Sequence, residues 1–231
     1  MPITMITLIA AIGAMLIGAL YQYRFKKKME KYAEQSLSAG LTGKEVAEKM
    51  LADNGISDVK ITATPGKLTD HFDPTNKTVN LSPEVYKGRS VMAASVAAHE
   101  CGHAIQQAEA YSWLQLRSAL VPAVSFSSKV IPYLLLGGIA VLWFTNDPTI
   151  LGLGIVFFAA TTVFSFVTLP VEFDASRRAV QWLNKAGITT GSEHKNVQSA
   201  LKGAAMTYVI GAIGSLAMLL HYVMIFLGAQ E

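Results

Sequence analysis

Four stretches of this chain are too apolar and too free of charge to be handled by an ordinary water-facing surface. The clearest is Ile3 to Tyr23, "ITMITLIAAIGAMLIGALYQY", which carries no charged side chain. A helix needs about 20 such residues to cross the hydrocarbon core of a bilayer. Ile150 to Leu169 is a second uncharged run of that length, and about Ala204 to Leu227 a third. Between them Val130 to Phe144 is apolar but less clean, since Lys129 precedes it and Pro122 and Pro132 interrupt the pattern. A helix that begins amphipathic near the membrane surface and then spans is expected there. Composition agrees. The 231 residues are 52% hydrophobic and 15% charged, with mean hydropathy +0.37. A water-soluble domain carries about one quarter charged residues.

The spans divide the chain. Residues 1–23 read as an N-terminal anchor, because the positive charge in "RFKKK" follows the apolar run, whereas a cleaved signal peptide carries it before. Residues 24–116 read as a polar region with its own fold. Residues 117–169 read as a hairpin of two spanning helices joined by the short link "TNDP", 170–203 as a second polar segment, and 204–231 as a last span.

Charge then orients the chain. Of 19 Lys and Arg residues, fourteen lie between Arg24 and Lys129, and the other five are Arg177, Arg178, Lys185, Lys195 and Lys202. With four spans, those two regions fall on one side of the bilayer. The positive-inside rule makes that side cytoplasmic and puts both termini outside. A net charge of +3 gives no footprint for nucleic acid, so no nucleic-acid partner is expected. The lone cysteine, Cys101, excludes an intramolecular disulfide.

Within 24–116, "LTGKEVAEKMLADNG" has the pattern of an amphipathic helix, with Thr42 as N-cap and Gly55 just past its end. "VKITAT" (Val59 to Thr64) and "KTVNLS" (Lys77 to Ser82) read as short strands of a small sheet or hairpin. Between them "GKLTDHFDPTNK" carries turn residues. From Ser82 to Tyr111 the chain reads as one helix, opened by the Ser82-Pro83 cap and first turn.

That helix carries "VAAHECGHAIQ", Val96 to Gln106. His99 and His103 are four residues apart, so their side chains leave one helix face a turn apart and can grip one zinc ion. Glu100 stands next to the first histidine, where a carboxylate can act as general base toward a water at the metal. A bare five-position match also arises by accident on buried helices, and a catalytic zinc needs a third protein ligand. Four downstream residues could supply it: Glu172, Asp174, Glu193 and His194. If Pro170 opens a fresh helical turn, Glu172, Ser176 and Ala179 share one face and Asp174 points elsewhere. Arg177, Arg178, His194 and Tyr208 are possible oxyanion donors, among which the sequence does not choose. Cys101 reads as a small packing residue, His71 as a turn-stabilising group and His221 as a helix-contact residue.

Four stretches, "LTDHFDP", "LSPEVY", "VAAHECGHAIQ" and "LPVEFDASRRA" (Leu169 to Ala179), together resemble the membrane neutral zinc metallopeptidases, the YugP-like proteins of bacteria, over nearly the whole chain. A more distant similarity is to gluzincin membrane proteases of the HtpX type, whose third ligand is the glutamate of a Glu-x-x-Ala-Asp pattern. Glu172 sits at that glutamate and Ala175 at that alanine, while Ser176 replaces the aspartate. The resemblance therefore implies zinc on His99, His103 and Glu172, with Glu100 catalytic. It implies a mainly α membrane protein with about four transmembrane helices and a cytoplasmic α+β zincin-like region. The expected activity is zinc-dependent endopeptidase action on a membrane-associated protein or peptide. The expected setting is the plasma membrane, in the lipid bilayer, with room for a membrane protein partner. A non-enzymatic zinc-binding adaptor that presents substrates to another protease is the alternative. The stretch around "LTDHFDPTNKTVNLS" is the candidate edge for substrate, or a purely structural hairpin.

Overall fold

The computed structural model describes residues 2–229. In chain order its elements are α1 (Ile3–Glu34), α2 (Gly43–Asp53), β1 (Lys60–Ala63), β2 (His71–Asp73), β3 (Thr78–Leu81), α3 (Pro83–Tyr86), α4 (Val91–Ala108), α5 (Ser112–Thr145), α6 (Thr149–Lys185) and α7 (Gly191–Gly228). Four of them, α1, α5, α6 and α7, are long and apolar enough to cross a membrane. The chain divides into two compact units. A spanning unit holds the chain up to Gln22, Leu116–Leu169 and the chain from Thr207 on; a site unit holds Tyr23–Gln115 and Pro170–Met206.

The spanning unit is built inside out by the standards of a water-soluble protein. Leu16, Trp143, Phe144 and Val156 are largely exposed, as lipid-facing side chains must be. Its internal contacts are close and partly polar. Gly138 lies so near the backbone of Ile150 and Leu151 that no Cβ fits. Thr162 and Ser215 share a hydroxyl–hydroxyl hydrogen bond of 2.7 Å, and His221 Nδ1 meets the Thr7 hydroxyl at 3.1 Å. His221 thus has the helix-contact role its sequence position suggests.

The site unit has a conventional core. Val46, Met50 and Leu51 of α2, Val79 and Leu81 of β3, and the alanine-rich face of α4 pack into one buried cluster with Leu183 and Val197. Helix α2 begins with a capping box. The Thr42 side chain accepts from the Glu45 backbone N–H, and the Glu45 carboxylate accepts from the Thr42 backbone N–H. Asn54 closes the helix and Gly55 follows with φ +70°, a conformation that costs glycine little.

Two expectations are corrected here. The stretch from Ser82 is not one helix. α3 ends at Tyr86, Ser90 caps a new helix by accepting from Ala93 N–H, and Ser82 makes no side-chain cap bond. The break lets the linking backbone pair elsewhere. Gly88 C=O accepts from Gly43 N–H, Arg89 C=O from Leu37 N–H, and Val91 N–H donates to Gln35 C=O. Part of the stretch read as turn is also a strand. The sheet has order β1-β3-β2, with β1 parallel to β3 and β2 antiparallel to it. The hairpin is therefore β2–β3, its turn held by Asp73, whose carboxylate accepts from the backbone N–H groups of Thr75 and Asn76.

Candidate metal centre

Helix α4 brings His99 and His103 to one face, and their rings meet edge to face with centroids 4.8 Å apart. The carboxylate of Glu172, on α6, lies against both. His99 Nε2 is 3.3 Å and His103 Nε2 3.7 Å from Glu172 Oε2. One ligand atom from each of the three lies within 4.8 Å of the others. Pro170 does not restart the helix; α6 runs through it without a break. The first turns after the proline still present Glu172 and Ser176 on the same side, as expected for residues four apart.

Gly102 sits between the two histidines because α6 leaves no room for a side chain. A Cβ there would lie 2.7 Å from the carbonyl oxygen of Ala175 and 3.0 Å from its Cα. The two helices therefore meet backbone to backbone, which carries Glu172 up to the histidines.

Electrostatics make this an unusual place for a carboxylate. Glu172 is 2% exposed. Burial alone would raise its pKa, but the His103 and His99 imidazoles beside it override that and hold it well below the ordinary carboxylate range. Burial likewise works to lower the pKa of His103, and Glu172 beside it reverses the direction. A buried anion with two imidazole nitrogens turned toward it is a donor set of the kind zinc takes, two nitrogens and one carboxylate oxygen.

The far side of each ring is held as well. Ser176 Oγ lies 3.2 Å from His99 Nδ1, and Gln106 Oε1 lies 3.0 Å from His103 Nδ1. If both Nδ1 atoms carry the proton, both Nε2 lone pairs face Glu172. These outer contacts are what a metal-ligating histidine normally has. The residues present fit a zinc ion.

Glu100 stands beside the ligands without joining them. It is largely buried, and its Oε2 accepts the backbone N–H of Phe72 at 3.1 Å. Phe72 is the middle residue of β2, one of the two edge strands of the sheet. The motif glutamate is thereby tied to a strand the sequence did not reveal.

The other candidates have different partners. Asp174 accepts from Gln106 Nε2, Arg177 and Arg178. Those bonds outweigh the upward effect of burial and lower its pKa. Both arginines considered as oxyanion donors are thus paired with Asp174, and Arg178 also with Glu109. Glu193 accepts from the backbone and hydroxyl of Ser38, and His194 contacts Thr189 and Gln198. His71 Nδ1 lies 2.7 Å from the Thr69 carbonyl, a turn contact. Cys101 is fully buried with its thiol toward the Ala47 carbonyl, and burial pushes its pKa up, away from the thiolate a ligand would need.

A family model described as "Putative neutral zinc metallopeptidase" matches residues 7–227, nearly the entire chain. The chain belongs to this family. It is also 43% identical over 227 residues to "Putative membrane protease YugP" of Bacillus subtilis (strain 168), covering 98% of this chain and 99% of that protein. No solved structure matches it. The family's description names zinc and the relative's name a membrane, in line with the His99, His103 and Glu172 cluster and the four membrane-length helices.

Proposed function

We propose that this protein is a membrane-embedded zinc endopeptidase acting at the cytoplasmic membrane surface, with zinc on His99, His103 and Glu172 and Glu100 as the catalytic base. The observation that carries it is the placing of Glu100 between that cluster and the edge strand β2. When bound, zinc supplies Lewis-acid polarisation of a carbonyl and lowers the pKa of a water. The chain's own residues do the rest. An extended peptide adds along the β2 edge, as strands add to sheet edges elsewhere. Glu100 takes a proton from the attacking water on its carboxylate and returns it to the leaving amine. Its existing bond to Phe72 N–H keeps that carboxylate at the strand where the peptide would lie.

The orientation rests on charge. All 19 Lys and Arg residues fall in the two stretches that four spans put on one side. Cysteine labelling tests it simply, because the only native thiol is buried. A cysteine at Asp147 should react with an impermeant reagent added to intact cells, and one at Lys185 only after lysis. The reverse pattern would move the site to the outer face.

Activity is tested by incubating wild type and Glu100→Gln with an unfolded membrane-protein substrate while zinc is quantified in both. Zinc in both proteins and cleavage by wild type alone is expected. Equal cleavage by the two would remove Glu100 from catalysis. Zinc in both with cleavage by neither would favour the adaptor reading, in which the chain presents substrates to another protease.

A further inference from the structure

Gln106 is fully buried, and nothing about a hydrolytic zinc site requires a glutamine three residues beyond its second histidine. Its side-chain amide is nevertheless satisfied at both ends. Oε1 meets His103 Nδ1 at 3.0 Å, while Nε2 donates to the Val171 carbonyl at 2.8 Å and to Asp174 Oδ2 at 3.0 Å. The two Nε2 acceptors fix which way the amide faces. A flipped amide would set its oxygen against a carbonyl and a carboxylate, so the oxygen must point at the histidine. An oxygen there can only accept, so His103 carries a proton on Nδ1, which leaves Nε2, the nitrogen on the Glu172 side, as the one for the metal. Asp174 is held in turn by Arg177 and by Arg178, which reaches Glu109 on the chain just past α4.

We infer that Gln106 is a positioning residue for the metal. It selects the His103 tautomer that can bind zinc, and it locks that ring to the helix bearing Glu172, since Val171 and Asp174 flank the ligand in sequence. The inference rests on the zinc reading above and adds a residue to it. Ser176 has the corresponding contact with His99, but its hydroxyl can donate as readily as accept, so it does not select a tautomer.

The test uses the full-length protein in detergent with two near-isosteric variants, Gln106→Met and Gln106→Glu. Methionine removes both the acceptor and the donors. Glutamate, as the neutral acid, keeps an acceptor for His103 Nδ1–H and turns its single O–H toward Asp174 in place of the two N–H donors. Zinc affinity is measured by chelator competition, and the His103 tautomer in the metal-free protein by ¹⁵N chemical shifts after histidine labelling. Gln106→Met should bind zinc about 10–100-fold more weakly, the usual cost of losing an outer partner of a ligand, and show mixed tautomers. Gln106→Glu should stay within about threefold of wild type on that scale and keep the Nδ1–H form. Wild-type affinity in Gln106→Met would overturn the inference while leaving the zinc reading intact. So would equal weakening in both variants, which would trace the loss to packing against Val171 and Asp174. Wild-type protein that takes up no zinc would overturn the zinc reading and this inference with it.

Discussion

The two units of this chain solve opposite problems. In the spanning unit the large apolar side chains face outward, Trp143 at 86% exposure, while hydroxyls and an imidazole pair inside. In the site unit the apolar side chains are inside, and six polar groups join into one connected set, Glu172, His99, His103, Gln106, Ser176 and Asp174. The difference teaches where each unit is sensitive. In lipid a polar side chain freed from one helix finds another partner, so single polar contacts there contribute little. In the site unit a buried carboxylate depends on every partner around it, and removing one leaves a charge uncompensated.

Substitutions can break or sharpen that contrast. The largest effect belongs to Glu100→Gln. Hydrolysis should fall about 10²–10⁴-fold, the range general-base catalysis contributes, with zinc content unchanged by metal analysis. Glu172→Gln comes next. It should weaken zinc binding by more than about 100-fold, beyond what losing an outer partner costs, as read by chelator competition. Unchanged affinity would transfer the third-ligand role to another residue. Gly102→Ala forces a Cβ against the Ala175 backbone. Overpacking of this kind costs about 1–3 kcal/mol, so thermal unfolding of the detergent-solubilised protein should shift down and zinc affinity should fall with it. The smallest effect should come from Thr162→Val in the spanning unit. Losing its bond to Ser215 should cost about 0.6 kcal/mol, the average for a hydrogen bond between membrane helices. A loss as large as that of Gly102→Ala would dissolve the contrast between the units.

How much of this could be read beforehand differs by kind of signal. The spanning helices were legible because freedom from charge over a membrane-length window is a local property of the sequence. So was the α2 cap, where Thr42 and Glu45 are three residues apart. His99, Glu100 and His103 were legible because one helical turn brings them together. Glu172 was not reachable from spacing, since four candidates stood open and only the family resemblance singled it out. Gln106 left a fainter trace. Its offset from His103 puts it on the ligand face, but its role depends on the Val171 carbonyl and Asp174, which are distant in sequence. Strand β2 was hidden by its own composition. Three residues bounded by turn formers carry little strand propensity, and pairing with β3 decides the conformation. The break at Gly88 to Ser90 leaves no local mark for a similar reason, since its cause is backbone pairing to residues 35–43.

The bare backbone contact between Gly102 and Ala175 also has a consequence in time. Glu172 follows His99 by 73 residues, and two membrane-length helices begin between them. A ribosome that has released the histidine helix has made two donors and nothing to close them. The site can assemble only after both of those helices have been made and the chain has reached Glu172. A chain that ends before Glu172 therefore carries an unfinished site, however well its histidine helix is formed.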